Sequence, residues 1–138
     1  VAKISGLGAT VIVQDSGSVA RTISNDITEF NFSTPRGVQD ITGVDKSAHE
    51  RLLLLTDYTV SMKGVVNTAA NMSHAVFSTI PSTSVTRSVS IAPTSNNSTP
   101  ILVVNCVLSD YAITRAAAGE LTFDVKGDLA DGAVPTWA

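Results

Sequence analysis

Apolar and polar residues alternate with a period of two over several stretches of the chain, as they do in strands with one buried and one wet face. In residues 26–32, Phe30 and Phe32 share a face while Glu29 and Asn31 point the other way. Tyr58, Val60 and Met62 line one side of residues 57–63, opposed by Thr59, Ser61 and Lys63. Val85, Val89 and Ile91 form an apolar face that also carries Arg87, and Leu121, Phe123 and Val125 alternate with Thr122, Asp124 and Lys126. Residues 9–13 and 101–108 are more uniformly apolar and read as strands covered on both faces.

Two stretches break this pattern. Residues 45–55 are rich in helix formers, Ser47 and Glu50 have capping-box spacing, and Ala48, Leu52 and Leu55 fall on one helical face. In residues 71–80, Met72, Val76 and Ile80 recur at i, i+4 and i+8, with Asn71 or Ser73 to cap the segment and Pro81 to stop it. The expected fold is therefore mainly β, a sandwich or barrel, with a flanking α-helix over 45–55 and a short second helix over 71–80. No repeat or linker divides the chain, and 138 residues suit a single domain spanning 1–138. Residues 34–44, with Pro35, Gly37 and Gly43, read as a long loop, and residues 93–100 as a polar loop between two prolines. Trp137, the one tryptophan, stands almost at the end and is expected to dock on its own subunit or on a neighbour.

Composition adds a constraint on the surface. Charged residues are 15 % of the chain, against about 25 % in an ordinary soluble domain. Sixteen serines and sixteen threonines take their place, and mean hydropathy is +0.24. A surface of hydroxyls, amides and apolar atoms suits a protein that buries much of it in self-assembly. Net charge is −3 and the nine basic residues are scattered, so sequence-independent nucleic-acid binding is disfavoured. The apolar run 52–55 is far too short to span a bilayer. No basic region followed by an apolar run opens the chain, so no secretory signal is expected.

Reactive chemistry is not suggested. Gly6-Leu-Gly8 precedes a strand instead of following one, which is the wrong order for a dinucleotide fingerprint. His49 and His74 sit on separate segments with no ligand motif around them. Cys106, the single cysteine, lies in an apolar block and reads as an inert buried thiol. With sixteen serines and nine aspartates, a Ser–His–Asp combination means nothing without geometry. The glycosylation sequons at Asn31, Asn71, Asn96 and Asn97 carry no weight without a secretory route. No catalytic, cofactor-binding or metal-ligating residue is assigned. The rival class is a sugar-binding β-sandwich module, but aromatics are only 5 % and most read as core, which leaves little for a stacking platform.

Two motifs bring a known family into view. Thr42-Gly-Val-Asp-Lys-Ser-Ala-His-Glu-Arg-Leu52 is followed by Asp57-Tyr-Thr-Val-Ser-Met-Lys-Gly-Val-Val-Asn67. Ser73-His-Ala-Val-Phe77, Ala118-Gly-Glu-Leu-Thr-Phe123 and Leu129-Ala-Asp-Gly-Ala-Val-Pro-Thr136 extend the likeness over roughly residues 25–138. In these stretches the chain resembles the major tail, or tail tube, proteins of long-tailed, siphovirus-type bacteriophages. That resemblance implies a β-sandwich flanked by a helix, assembled as hexameric rings that stack into a hollow tube for DNA passage. It places the protein in the virion tail, assembled in the cytoplasm of a bacterial host. It implies tape-measure, tail-terminator and baseplate or distal tail proteins as partners, with DNA as cargo and no membrane. Four strands from each of six copies would make an inner barrel of about 24 strands at ~4.8 Å spacing, roughly 37 Å across the backbone before tilt. The same resemblance makes the 34–44 loop the ring-stacking element. Arg36, Gln39, Asp40, Ile41 and Trp137 are then the assembly candidates. A head-decoration or tail-terminator protein is the alternative within the same class.

Overall fold

The computed structural model describes residues 5–94 and 100–138, and the period-two stretches of the sequence are strands in it. In chain order these are β1 (Thr10–Gln14), β2 (Ala20–Thr22), β3 (Ile27–Ser33), β4 (Arg36–Asp40), β5 (Arg51–Thr56), β6 (Thr59–Val65), β7 (Arg87–Ala92), β8 (Leu102–Arg115) and β9 (Leu121–Leu129). A 3-10 turn (Ser24–Asp26) precedes β3, and one short helix, α1 (Ser73–Phe77), lies between β6 and β7. Seven strands form one antiparallel sheet in the order β2-β1-β7-β8-β9-β6-β3, and β4 and β5 pair separately.

The two edge strands of this sheet are sequence neighbours. Only Ile23 and the 3-10 turn separate β2 from β3, so the sheet curls until its ends approach. Hydrogen bonds at this seam hold the curl: Ile23 N donates to Val11 O at 3.0 Å, and Val11 N donates to the Ser24 hydroxyl at 2.8 Å. The inner face of the curl is the core. Val11, Val13, Tyr58, Val60, Met62, Val89, Ile91, Val104, Cys106 and Val125 are all buried in it. Val76 and Phe77 of α1 close the core, with the Phe77 ring 5.5 Å from Phe123 and 5.7 Å from Tyr111. Each such fully buried side chain contributes roughly 1.5–3 kcal/mol relative to exposure.

Two buried polar residues fix α1. Asp26 accepts from Asn67 Nδ2 at 2.9 Å and from Ser73 N at 3.1 Å, so the helix start is satisfied from across the fold. At the other end Arg87, buried on β7, donates to Val76 O at 2.8 Å, to Gln14 O at 3.3 Å and to Thr79 Oγ1 at 2.8 Å. Burial lowers the Arg87 pKa, opposed by the nearby Asp15 carboxylate.

Four expectations from sequence need correction. The helix over 45–55 does not form: Arg51–Thr56 is β5, antiparallel to β4. Four consecutive leucines fit no single helical stripe, and an extended partner at 36–40 pairs with them directly, overriding local propensity. The Ser47–Glu50 capping box is accordingly absent, and Glu50 N donates instead to Thr42 Oγ1 at 2.8 Å. The 34–44 loop holds a strand, β4, within it. The second helix shrinks to Ser73–Phe77, and neither Asn71 nor Ser73 caps it with a side chain; its N-cap position is Met72. Finally, β8 is not covered on both faces, because Leu102, Val104 and Cys106 are buried while Val103 and Val107 are exposed.

Candidate assembly surface

β4 and β5 continue the β3–β6 ladder past the edge of the sheet. Ser33 pairs with Thr59 at the end of β3–β6, the Asp57 amide donates to Pro35 O at 2.8 Å, and Arg36 then pairs with Thr56. One long hairpin thus runs from residue 27 to 65, with a proximal half in the sheet and a distal half outside it. At about 3.4 Å per residue, the five residues of β4 carry the ribbon roughly 17 Å beyond the body. A bulge opposite Gly37 sets its twist, and the Leu54 side chain occupies the space beside that glycine.

This arm has no core of its own. Every residue of β4 and β5 is exposed except the half-buried Thr56. The cross-strand pair Val38 and Leu53 is 56 % exposed at each residue, and Leu55 is 91 % exposed. Alternation puts Arg36, Val38, Asp40, Arg51 and Leu53 on one face, and Gly37, Gln39 and Leu52 on the other. Each face carries exposed apolar side chains, Val38 and Leu53 on the first and Leu52 on the second. An isolated two-stranded ribbon is marginal in water, and exposed apolar patches of this kind mark interaction surfaces.

The arm's tip is ordered by local hydrogen bonds. Ile41 N donates to Glu50 O at 2.9 Å. The Asp40 carboxylate accepts from the Thr42 hydroxyl and from Thr42 N at 2.9 Å, and it pairs with His49 Nδ1 at 3.1 Å. These partners, the Thr42 hydroxyl first, hold the Asp40 carboxyl below the usual carboxylate range. Lys46 and Glu50 form an exposed ion pair at 3.6 Å.

A second exposed surface lies on the convex side of the sheet. Across β3, β6, β9 and β8 it is polar, with rows such as Asn31–Ser61–Lys126–Asp110 and Glu29–Lys63–Asp124. Its ionised groups are four carboxylates (Glu29, Asp110, Asp124, Asp128) and two lysines (Lys63, Lys126). At the end of β8 nearer its start the face turns apolar: Val103 and Val107 alternate with the core residues of that strand. The C-terminal segment runs alongside, where Asn105 Nδ2 donates to Asp131 Oδ2 at 2.7 Å. The Asn105 amide, ahead of the Ala133 backbone N–H, lowers the Asp131 pKa.

Arg36, Gln39, Asp40 and Ile41 all lie on the arm. The Arg36 Nε donates to Leu54 O at 3.0 Å, and the Gln39 side chain donates to Asp40 O at 3.3 Å. Trp137 is apart from them. Its backbone bridges to Leu102, its ring sits 5.7 Å from Phe32, and 51 % of it stays exposed. Leu53 and Leu54 were missed because 52–55 was given to a helix, and Val38 because 34–44 was given to a loop; a run of four leucines that fits neither period was the available signal. Cys106 is buried, as expected, and burial pushes its thiol up to about 12. His49 meets Asp40, and His74 meets Tyr111 at 3.1 Å. Among the described residues no group of three or more His, Cys, Asp or Glu is placed to hold a metal ion. No helix among them is long and apolar enough to cross a membrane. Asn96 and Asn97 lie outside the described residues.

No family model matches the chain, and no curated protein matches it. Solved structures do. A chain from the tail of an empty GTA particle, refined helically with C6 symmetry, superposes with a TM-score of 0.69 at 16 % identity, covering 94 % of both chains. A chain of the virion of the native gene transfer agent particle gives a TM-score of 0.66 at 15 % identity, covering 94 % of this chain and 95 % of that one. The mainly β architecture, with its curled sheet, projecting hairpin and single short helix, is a fold found in the tail of the gene transfer agent particle.

Proposed function

We propose that this protein is the repeating subunit of a virion tail tube, assembled as rings that stack through the β4–β5 arm. The observation that carries the reading is that arm: a projecting ribbon with Val38, Leu52, Leu53 and Leu55 in water and no core beneath them. A surface of this kind is stable when a neighbouring subunit covers it. The fold likeness supports the same reading, and the C6 symmetry of the similar tail suggests six copies per ring here.

The four adjacent strands β8, β9, β6 and β3 present the polar convex face, and this face lines the channel. Four carboxylates against two lysines on each copy give it no means of holding successive phosphates by counterion release. DNA is therefore cargo and not ligand. Arg36, Gln39, Asp40 and Ile41 contact the next ring, and Trp137 packs against a neighbour at the base of the arm. Tape-measure, terminator and distal tail proteins cap the column at its ends. The subunit acts by shape and charge, with no catalytic step.

Size-exclusion chromatography with light scattering on the wild type, beside a variant in which residues 36–56 are replaced by a short Gly-Ser turn, tests this reading. The wild type is expected in hexamers and stacked rings, and the variant in single rings or monomers with a normal fold. A wild type that stays monomeric at every concentration and salt overturns the reading, and long tubes from the variant remove the arm from it. Short capped rings without tubes would point to the terminator alternative.

A further inference from the structure

We propose that Trp137 is a strap that sets the angle of the arm: its backbone is tied to β8, its ring is seated on Phe32 of β3, and together they hold the root of the β4–β5 ribbon against the sheet. The inference goes beyond the assembly reading, which gives Trp137 only an outward contact.

The root of the arm is a weak point in the hairpin. The ladder pairs Ser33 with Thr59 on the sheet side and Arg36 with Thr56 on the arm side. Between them the backbone bond is Asp57 N donating to Pro35 O at 2.8 Å. Pro35 has no N–H to return, so the pair of bonds expected at that register is half made. The bulge opposite Gly37 follows at once. Two interruptions thus stand side by side, where a ribbon without a core of its own is free to swing.

Trp137 ties this root to β8, which lies beyond β9 and β6 in the sheet. The β8–β9 ladder ends where Leu129 pairs with Cys106, and residues 137–138 take up the edge of β8 that β9 leaves free. Leu102 bridges to Trp137, Ala138 N donates to Ile101 O at 2.9 Å, and Ile101 N donates to Ala138 O at 3.3 Å. From there the indole lies 5.7 Å from the Phe32 ring and tilted by 45°, a favourable geometry for an aromatic pair. Phe32 is the last residue of β3 to face the core before the arm begins, and its ring also stacks on Tyr58 at 6.2 Å. Tyr58 is buried, and its carbonyl accepts from Leu129 N at 3.0 Å. A swing of the arm has to carry Phe32 off both rings, and Trp137 resists it because its own backbone is fixed to another strand.

Distances between spin labels test the strap. Labels at Arg51→Cys on the arm and Lys126→Cys on β9 are read by pulsed electron resonance on dilute subunits; Cys106 is buried and stays unlabelled. With Trp137 in place one narrow distance is expected. Trp137→Ala is expected to broaden it, and Trp137→Phe to keep it narrow. The Asp57 amide, bonded to Pro35, is expected to lose exchange protection in Trp137→Ala while the amides of β8 and β9 keep theirs. A distance as narrow in Trp137→Ala as in the parent, or one already broad with Trp137 in place, overturns the strap. Should Trp137→Ala fail to fold, Phe32→Leu removes the same ring contact and keeps an apolar side chain in the core; a narrow distance there overturns the strap as well. Light scattering on the same samples reads assembly separately. A failed strap leaves the assembly reading intact, and protein that never assembles overturns that reading alone.

Discussion

The backbone carbonyl of Asp26 occupies the space that a Cβ on Gly64 would need, and the rim of the Phe123 ring crowds it from the other side. Glycine at this position lets the start of β3 close over β6 where the ladder bulges, and so brings Asp26 within reach of Asn67 and α1. The seam of the curled sheet depends on that approach.

Gly64→Ala is therefore expected to cost about 1–3 kcal/mol through overpacking and to lower the melting temperature by several degrees. Gly6→Ala is the control, since its Cβ would meet only Pro93 O at 3.5 Å, an ordinary contact. Thermal melts of the two variants check this. Equal melting temperatures would show that the seam relaxes freely.

Arg87 holds Val76 O, Gln14 O and Thr79 Oγ1 with one guanidinium. Arg87→Met keeps the stem and leaves buried acceptors unmet, at roughly 1–3 kcal/mol for a group left without its partner. Hydrogen exchange should show α1 opening before the strands. Unchanged protection at Val76 and Ser78 amides would contradict this.

Leu53→Asp is expected to leave subunit stability within about 0.5 kcal/mol, as exposed substitutions usually do, while abolishing higher assembly. Chemical denaturation and light scattering on the same sample separate the two effects. A large drop in stability would mean that the arm packs on its own body.

The Asp40 carboxyl is held below its ordinary value of 3.8 by the Thr42 hydroxyl, the Thr42 amide and His49. A lowered folded value means that the stabilisation is present above 3.8 and is lost as pH falls through the folded value. The arm's tip should be intact at neutral pH and fray in acid, with Thr42 and Glu50 amides losing protection as pH falls below 3.8. Asp40→Asn should flatten that dependence. Protection that is unchanged below this value, after correction for intrinsic exchange, would contradict the assignment.

The main sheet was legible because burial there follows alternation. Tyr58, Val60 and Met62 are buried, and Thr59, Ser61 and Lys63 are not, as the period-two pattern requires. Even Arg87 was placed on the apolar face by parity alone, although its carbonyl partners on Gln14 and Val76 could not be foreseen. The arm was misread for a physical reason. Its strands are held by each other alone within the chain, so no inward face imposes a period on Leu52, Leu53, Leu54 and Leu55, and helix propensity at 45–50 filled the gap. Val103 and Val107 were read as covered because residues 101–108 are almost uniformly apolar, but both are exposed on the outer face of β8. The seam of the sheet rests on a close approach between Asp26 and Gly64, and a lone glycine in a strand does not announce its neighbour.

Electron microscopy of the purified wild-type chain, with the rotational symmetry of end-on views determined directly, tests the central claim most directly. Stacked rings around an open channel are the expected result, with the six-fold symmetry of the C6 tail that this fold matches. A field of monomers or closed dimers at every protein concentration and ionic strength would contradict it.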